Sequence, residues 1–167
     1  ITLTTGSLTG NGVLSLGSGT TTLQSSNTLG GTSAWTFANL VLGSGSVVGT
    51  TTPVSTATTT ISGRLTISNA HVLNAGATKW DLSGAGTVLV ETGTLVEGTS
   101  RIRYSGAGAI VTATGYYDLD INSGAGSQTY TAASAGVAVQ NNLSIGGTAT
   151  STFDVNTNDP TVTAGSV

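Results

Sequence analysis

Short runs in which apolar and polar residues alternate fill almost the whole chain. Examples, in chain order, are GVLSL, TTTL, NLVL, TTTI, RLTI, TVLVE, RIRY, DLDI, NLSI and TFDV. Alternation with a period of two is typical of β-strands that bury one face, and the spacing expected of a helix is almost absent. Gly, Ser and Asn bound the runs, as they do where tight turns join strands. The pattern therefore predicts an all-β chain of many short strands.

The strand pattern repeats at an interval of about 79 residues, and such self-similarity is the mark of a repeat architecture. The recurring segments are 21–26 with 100–105, 37–45 with 116–124, and 60–68 with 139–146. Leu40 then aligns with Leu119, and Leu65 aligns with Leu143, so the apolar positions keep their phase while the polar ones vary. Burial preserves this phase because a one-residue slip would turn a strand inside out. We expect one unit over 1–167 that contains two repeats, approximately 1–88 and 89–167.

The two ends of the sequence continue the same pattern. Placed end to end, Val167 and Ile1 give AGSV-ITLTTGSL, which is similar to the internal stretch AGTVLVETGTL. The first residues lack the charged and apolar regions of a signal peptide, and the chain does not begin with Met. We expect a segment of a longer array, or a unit that stacks end to end with flanking repeats or with copies of itself.

Two architectures have a period near this length. One is a pair of tandem immunoglobulin-like β-sandwiches, and the other is a parallel β-solenoid with about four coils of roughly 20 residues per repeat. Sandwiches predict a linker between domains, whereas the strand pattern continues through every candidate boundary. The sequence therefore favours the solenoid, with about eight coils in a rod roughly 40 Å long. Strand twist and the usual handedness of parallel crossovers predict a right-handed coil.

The composition agrees with stacked coils. Charged residues make up only 7% of the chain, and its mean hydropathy is +0.23. Where like residues stack above one another, columns of Lys or Glu would repel, whereas Thr and Ser would not. One Lys and three Arg are too few for a nucleic-acid-binding surface. The chain has no Cys for disulfide or thiolate chemistry, and no run of 18 apolar residues that would span a membrane.

Several phrases of the sequence are rich in Thr, Gly and Asn, namely GRLTISNAHVLNAG, YYDLDINSGAGSQTYTAASAGVAVQNNLSIGG and STFDVN. They resemble the β-strand repeats of very long secreted bacterial surface proteins, which include haemagglutinin-like and autotransporter-passenger β-helices. The resemblance covers nearly the whole chain. It implies a right-handed parallel β-helix outside the cell, as part of an adhesin, fibre, sheath or surface layer, with glycans or a host surface as further partners. It transfers no catalytic residue to this chain.

The stretch YYDLDINSGAG looks at first like a calcium loop, because Asp118, Asp120 and Asn122 lie at alternate positions. Counted from Asp118, however, the sixth and twelfth positions hold Ser123 and Thr129 instead of the required Gly and carboxylate. The acids also alternate with apolar residues. That alternation favours a half-buried strand whose two aspartates face solvent.

A second candidate for calcium is the turn-like segment DVNTND. Its oxygen-bearing side chains are Asp154, Asn156, Asn158 and Asp159. The sixth position is again not Gly, and no acid follows it. We therefore predict no cofactor, and calcium is the one ion for which the chain offers even weak candidate ligands.

Aromatic residues form two groups at matching places in the two repeats. Trp35 lies near Phe37 in the first repeat, and Tyr116 is followed by Tyr117 in the second. These rings are the candidates for stacking on a sugar. Aromatic residues at such places more often cover a corner or fill the end of a coil.

An enzyme is the least favoured class. His71 is the only histidine, and we expect it at an outward strand or corner position. A pair of carboxylates that cleaves glycosidic bonds would require a groove in which acids and basic residues are concentrated. The seven acids are scattered along the sequence. We predict a structural extracellular protein, with a glycan- or receptor-binding adhesin module as the alternative, and no catalytic residue.

Overall fold

The computed structural model describes all residues from 1 to 167, and it is built from strands without any helix. The strands are β1 (Thr2–Leu3), β2 (Leu8–Thr9), β3 (Leu14–Leu23), β4 (Asn27–Gly30), β5 (Trp35–Leu42), β6 (Gly49–Pro53), β7 (Thr58–Ile67), β8 (His71–Asn74), β9 (Lys79–Leu82), β10 (Leu89–Glu91), β11 (Thr94–Val96), β12 (Arg101–Tyr104), β13 (Ile110–Val111), β14 (Gly115–Ser123), β15 (Gln128–Ala132), β16 (Val137–Gly147), β17 (Ser151–Asp154) and β18 (Val162–Ser166). The all-β prediction is confirmed.

Every strand pairing is parallel, and the strands pair with those one coil before or one coil after them. Tandem sandwiches would instead need antiparallel sheets packed face to face. The chain is therefore a β-solenoid of about eight turns, and the sandwich alternative is wrong.

Each coil passes over three sides, which we number in chain order. Side 1 consists of 14–16, 35–37, 58–61, β9, β12, 118–123 and 142–147. Side 2 consists of β1, 20–23, 39–42, 64–67, β10, β13, β15 and β17. Side 3 consists of β2, β4, β6, β8, β11, 115–116, 137–139 and 162–164. Backbone hydrogen bonds thus run along the rod axis on all three sides.

The core is a single cluster of 28 buried residues enclosed by the three sides. Its columns follow the strand register, so each inward side chain lies above an inward side chain of the previous coil. One column of side 1 contains Leu14, Trp35, Thr59, Trp80, Ile102, Leu119 and Leu143. The alternation of apolar and polar residues predicts the inward position of these apolar side chains.

The long internal repeat describes a local strand shape, and it is not a whole number of coils. In β5 the register shifts between Phe37 and Asn39, and in β14 it shifts in the same way between Tyr116 and Asp118. Six coil steps separate Leu14 from Leu143, so an average coil has about 21 residues, within the usual range for solenoid repeats. One long repeat is therefore about three and two-thirds coils.

Because a long repeat is not a whole number of coils, residues that are equivalent in the two repeats lie on different sides of the rod. Strand β5 bends from side 1 to side 2, whereas β14 bends from side 3 to side 1. Leu40 consequently lies on side 2 and Leu119 on side 1, although both point into the core and are at most 1% exposed. The second repeat carries the same bent strands as the first, rotated by one side about the rod axis.

Glycines form a stack at the corner between sides 1 and 2. A Cβ atom on Gly84 would lie 2.2 Å from the carbonyl oxygen of Gly63, and one on Gly106 would lie 1.7 Å from the carbonyl oxygen of Gly84. Real Cβ atoms do not approach backbone oxygens so closely. The coils that contain Gly63, Gly84 and Gly106 therefore touch through their backbones at this corner, and only Gly fits at positions 84 and 106.

Candidate functional site

The most polar surface of the rod is a cluster of charged side chains on the outer face of side 1. It lies on β9, β12 and β14, whose intervening residues Trp80, Ile102 and Leu119 point into the core. The cluster, which we call the charged patch, consists of Lys79, Asp81, Arg101, Arg103, Asp118 and Asp120. The chain has only four Lys and Arg and seven Asp and Glu, so the patch collects more than half of all charged residues.

One row of the patch runs through Asp81, Arg103 and Asp120 on neighbouring strands. The Arg103 guanidinium donates to both carboxylate oxygens of Asp81, with Nε–Oδ1 at 3.2 Å and Nη2–Oδ2 at 2.5 Å. Ser105 Oγ donates to the same carboxylate at 2.5 Å. The hydrogen bond to Asp81 raises the pKa of Arg103. This arrangement holds β12 to β9 in a single register, because a slip would separate the planar pair.

The other row runs through Lys79, Arg101 and Asp118. Arg101 does not pair with its direct neighbour Asp118, because its guanidinium reaches diagonally to Asp120. Asp118 instead accepts hydrogen bonds from Asn141 Nδ2 at 2.8 Å and from the backbone N–H of Asn142 at 3.2 Å. Lys79 makes no salt bridge and lies directly beside Arg101. Like charges in that arrangement repel one another.

The first calcium candidate has the strand conformation that its alternation favours, but the sequence interpretation misplaces one of its acids. Asp118 and Asn122 are half-buried, whereas Asp120 is only 2% exposed because Arg101 covers it. The prediction that both acids face solvent is therefore wrong for Asp120. The guanidinium of Arg101 lies on the Asp120 carboxylate where a bound cation would have to lie.

The second calcium candidate is a turn in which neighbouring residues of the same turn hydrogen-bond to the Asp154 carboxylate. Asp154 Oδ1 accepts backbone N–H groups of Asn156 at 2.9 Å and Thr157 at 3.2 Å, and Oδ2 accepts the Thr157 hydroxyl. The hydroxyl and the two N–H groups lower the pKa of Asp154. Asn158 donates instead to the carbonyl of Ala132 at 2.8 Å, while Asp159 is exposed. No three His, Asp or Glu side chains of the chain are arranged so that they could hold a metal ion together.

Three of the four candidate sugar-stacking rings are inside the core. Trp35 is 3% exposed, and Phe37 and Tyr116 are fully buried. Trp35 also donates its indole N–H to the carbonyl of Gly12 at 2.9 Å and packs edge-on against Phe37. These rings have no free face for a sugar, so they fill coils, and only Tyr117 remains half-exposed.

His71 is also placed differently from expectation. Its side chain is 1% exposed and lies inside side 3, where Nε2 is 2.9 Å from Thr51 Oγ1 and Nδ1 has no partner. The outward position predicted for it is therefore wrong. The glycines of the preceding coil explain the difference, because Gly43 and Gly49 leave the space that the imidazole occupies.

Burial lowers the pKa of His71, and this predicts a dependence of stability on pH. The unfolded chain protonates this residue near pH 6.5, whereas the folded protein keeps it neutral to lower pH. The free energy of unfolding should therefore fall as pH drops below about 6.5, by at most about 1.4 kcal/mol per pH unit. Urea denaturation at pH 7.5, 6.5 and 5.5 measures this change in the free energy of unfolding. In His71→Gln, which still reaches Thr51 but does not titrate, the decrease should vanish; an unchanged decrease assigns it to another group.

The charged patch is the feature that sequence reasoning missed. Its signal is present as three short segments, KWD, RIR and DLD, in which charges flank one apolar residue. In the sequence the seven acids are scattered, whereas the structure brings Asp81, Asp118 and Asp120 onto one surface. These acids are up to 39 positions apart in sequence, and the strand register alone makes them neighbours of the arginines.

Comparisons with known proteins supply no family. No protein-family model, no curated protein and no solved structure matches the chain. No helix long and apolar enough to cross a membrane occurs in the structure. The function must therefore be argued from the rod and its surfaces.

Proposed function

We propose that the chain is a segment of an extracellular structural protein, such as a surface fibre, sheath, surface layer or adhesin stalk, and that it has no catalytic role. Its task is mechanical in this proposal. Parallel coils give a stiff rod that extends by adding further coils to either end. The resemblance to repeats of secreted bacterial surface proteins supports the extracellular location.

The observation that carries the proposal is that both ends of the rod remain open. β1 and β2 are the last strands of their sheets at one end, and β17 and β18 are the last strands at the other. Their outer backbone groups have no strand partner, and such edges readily pair with another chain. The core is also uncovered there, since Leu3, Leu8, Phe153 and Val162 are only partly buried.

The order of the sides continues from the last strand to the first. The last strand, β18, passes from side 3 to the start of side 1, where Ser166 pairs with Asn142. The first strand, β1, lies on side 2, the side that comes next in chain order. A second copy placed after Val167 would therefore continue the order of the sides once a short segment completes side 1. Thr58 and Thr66, which lie in the columns of Ser166 and Thr2, are eight residues apart (66 − 58), whereas a direct join would leave Ser166 and Thr2 only three residues apart. We propose end-to-end continuation with flanking repeats or with copies of the same chain.

A tandem dimer in which Val167 is joined to Ile1 through about five Ser and Thr residues, enough to complete side 1, tests this proposal. We expect one straight rod of about twice the single-copy length of roughly 40 Å, because the coils continue across the join. Small-angle scattering and negative-stain images measure the maximum dimension and the stiffness.

The matched control for the dimer carries a flexible linker of about 20 Gly and Ser residues at the join. It should behave as two hinged rods, with a broad distribution of end-to-end distances. If the dimer with the short join is as flexible as this control, or is no longer than a single copy, the ends do not continue one another and the proposal is wrong.

A further inference from the structure

The charged patch contains one cationic side chain, that of Lys79, for which the protein provides no counter-ion. Lys79 lies beside Arg101 in the strand register and makes neither a salt bridge nor a side-chain hydrogen bond. The acids of the patch bind elsewhere, Asp81 to Arg103 and Asp120 to Arg101. Lys79 therefore has no counter-ion of its own, and an anion placed between it and Arg101 would relieve the repulsion between the two cations.

Two shallow cavities open on this face, one after the other along the rod. The first, of about 110 Å³, is bordered by Thr58, Lys79, Trp80, Asp81, Arg101 and Arg103. The second, of about 160 Å³, is bordered by Arg101, Asp118, Leu119, Asp120, Asn142 and Ser144. The two cavities share Arg101. The lining of the first cavity offers mainly cationic donors. The lining of the second cavity offers amide, hydroxyl and carboxylate groups of the kind that hydrogen-bond to sugar hydroxyls.

One atom in the second cavity independently indicates a missing partner. Asp120 is 2% exposed, and its Oδ1 has no hydrogen-bond donor in the protein. A buried carboxylate oxygen without a donor is costly. A hydroxyl group of a ligand in this cavity could supply that donor after a small shift of the Arg101 side chain that covers it.

We infer that side 1 binds a linear glycan with carboxylate-bearing sugars, which lies along the rod over the charged patch. A carboxylate of the glycan lies between Lys79 and Arg101, and hydroxyls of the next sugar contact Asp120, Asn142 and Ser144. The strands β7, β9, β12, β14 and β16 form this surface in that order. This surface is thus about 15 to 20 Å long, enough for three or four sugar units.

The ligand has to be a chain because the surface is open. An exposed ion pair contributes little free energy of binding, so an isolated carboxylate would bind too weakly to be measured. Several such contacts on one molecule add through effective concentration. On the coils that precede the patch, the column that leads to Asp81 consists of Ser15, Thr36 and Thr60. These side chains carry hydroxyls without charge, so a longer glycan meets no repulsion there.

Binding of hyaluronan oligosaccharides, in which a uronate alternates with a neutral sugar, tests the inference. Titration calorimetry at 20 mM and 150 mM salt should show binding that weakens at the higher salt. The same oligosaccharide with its carboxylates methyl-esterified should bind at least about tenfold more weakly, and glucuronate alone should not bind measurably. Equal binding of acid and ester, or no binding of either, would overturn the inference.

Lys79→Gln isolates the site, because Lys79 supports no other contact. It should reduce hyaluronan affinity about fivefold while leaving the thermal midpoint unchanged or slightly higher, since a like-charge contact is lost. The matched control is Arg64→Gln, which removes a cation from side 2 and should not change the affinity. Unchanged affinity in Lys79→Gln, or an equal loss in Arg64→Gln, refutes the site. The rod proposal is unaffected by either result because it concerns only the length of joined copies.

Discussion

Replacing Gly106 with Ala should destabilise the solenoid by about 3 kcal/mol. The new Cβ would lie 1.7 Å from the carbonyl oxygen of Gly84 and 2.5 Å from that of Ser83. Both atoms belong to backbone that is held by the adjacent coil, so no side chain can move aside. Urea denaturation, followed by circular dichroism at the β-sheet minimum, measures the loss.

The chain offers a matched control at the same corner. Gly17 lies where β3 bends from side 1 to side 2, and a Cβ there would meet nothing within 4 Å. Gly17→Ala should leave stability within about 0.5 kcal/mol or raise it slightly, since Ala restricts the unfolded chain. Gly84→Ala should resemble Gly106→Ala, because its Cβ would lie 2.2 Å from Gly63 O. If all three variants unfold at the same urea concentration, the coils do not touch at this corner.

The architecture was predictable because burial acts on every coil in the same way. Alternating runs predict strands, the preserved phase of Leu40 and Leu119 predicts that both point into the core, and low charge agrees with columns of like residues. These signals depend on one residue and its nearest neighbours. They need no knowledge of where a particular coil ends.

The phase of the second repeat was not predictable for the opposite reason. Coil length varies: Trp35 and Thr59 are one coil apart, and so are Ile102 and Leu119, although the second pair is much closer in sequence. The side on which a strand lies depends on the sum of all the preceding coil lengths. A local pattern therefore identifies the bent strand β14 correctly while placing it one side away from β5.

The polar residues of the site were the least predictable part. Whether Asp120 faces water depends on Arg101, which lies 19 positions earlier and reaches it across a strand pairing. Whether His71 is inside depends on Gly43 and Gly49 of the preceding coil. Periodicity assigns a residue to a face of its strand. The side chains of the neighbouring coil determine whether that residue is exposed, covered by another side chain, or accommodated in a space left by glycines.

Tyr116→Ala is expected to cost about 4 kcal/mol of unfolding free energy, because Tyr116 fills the short coil that contains β13. Its ring packs edge-on against Tyr104 at 6.3 Å between centroids, and both rings are fully buried. Its hydroxyl donates to the carbonyl of Thr112 at 2.8 Å, while Tyr104 Oη lies at 2.9 Å from it and accepts the Thr112 N–H at 3.2 Å. These bonds close a ring inside the core, and burial raises the pKa of both tyrosines.

Two further variants separate the ring from its hydroxyl and from its neighbour. Tyr116→Phe keeps the packing but leaves Thr112 O without a donor, so it should cost about 1 to 3 kcal/mol. Tyr117→Ala removes the half-exposed ring at the register shift and should change stability by less than about 1 kcal/mol. Chemical denaturation of the three variants decides between a structural and a binding role for this aromatic pair. A Tyr116→Ala protein with full stability that has lost glycan binding would place the ring on a ligand surface, and the coil would then have to be filled by other side chains.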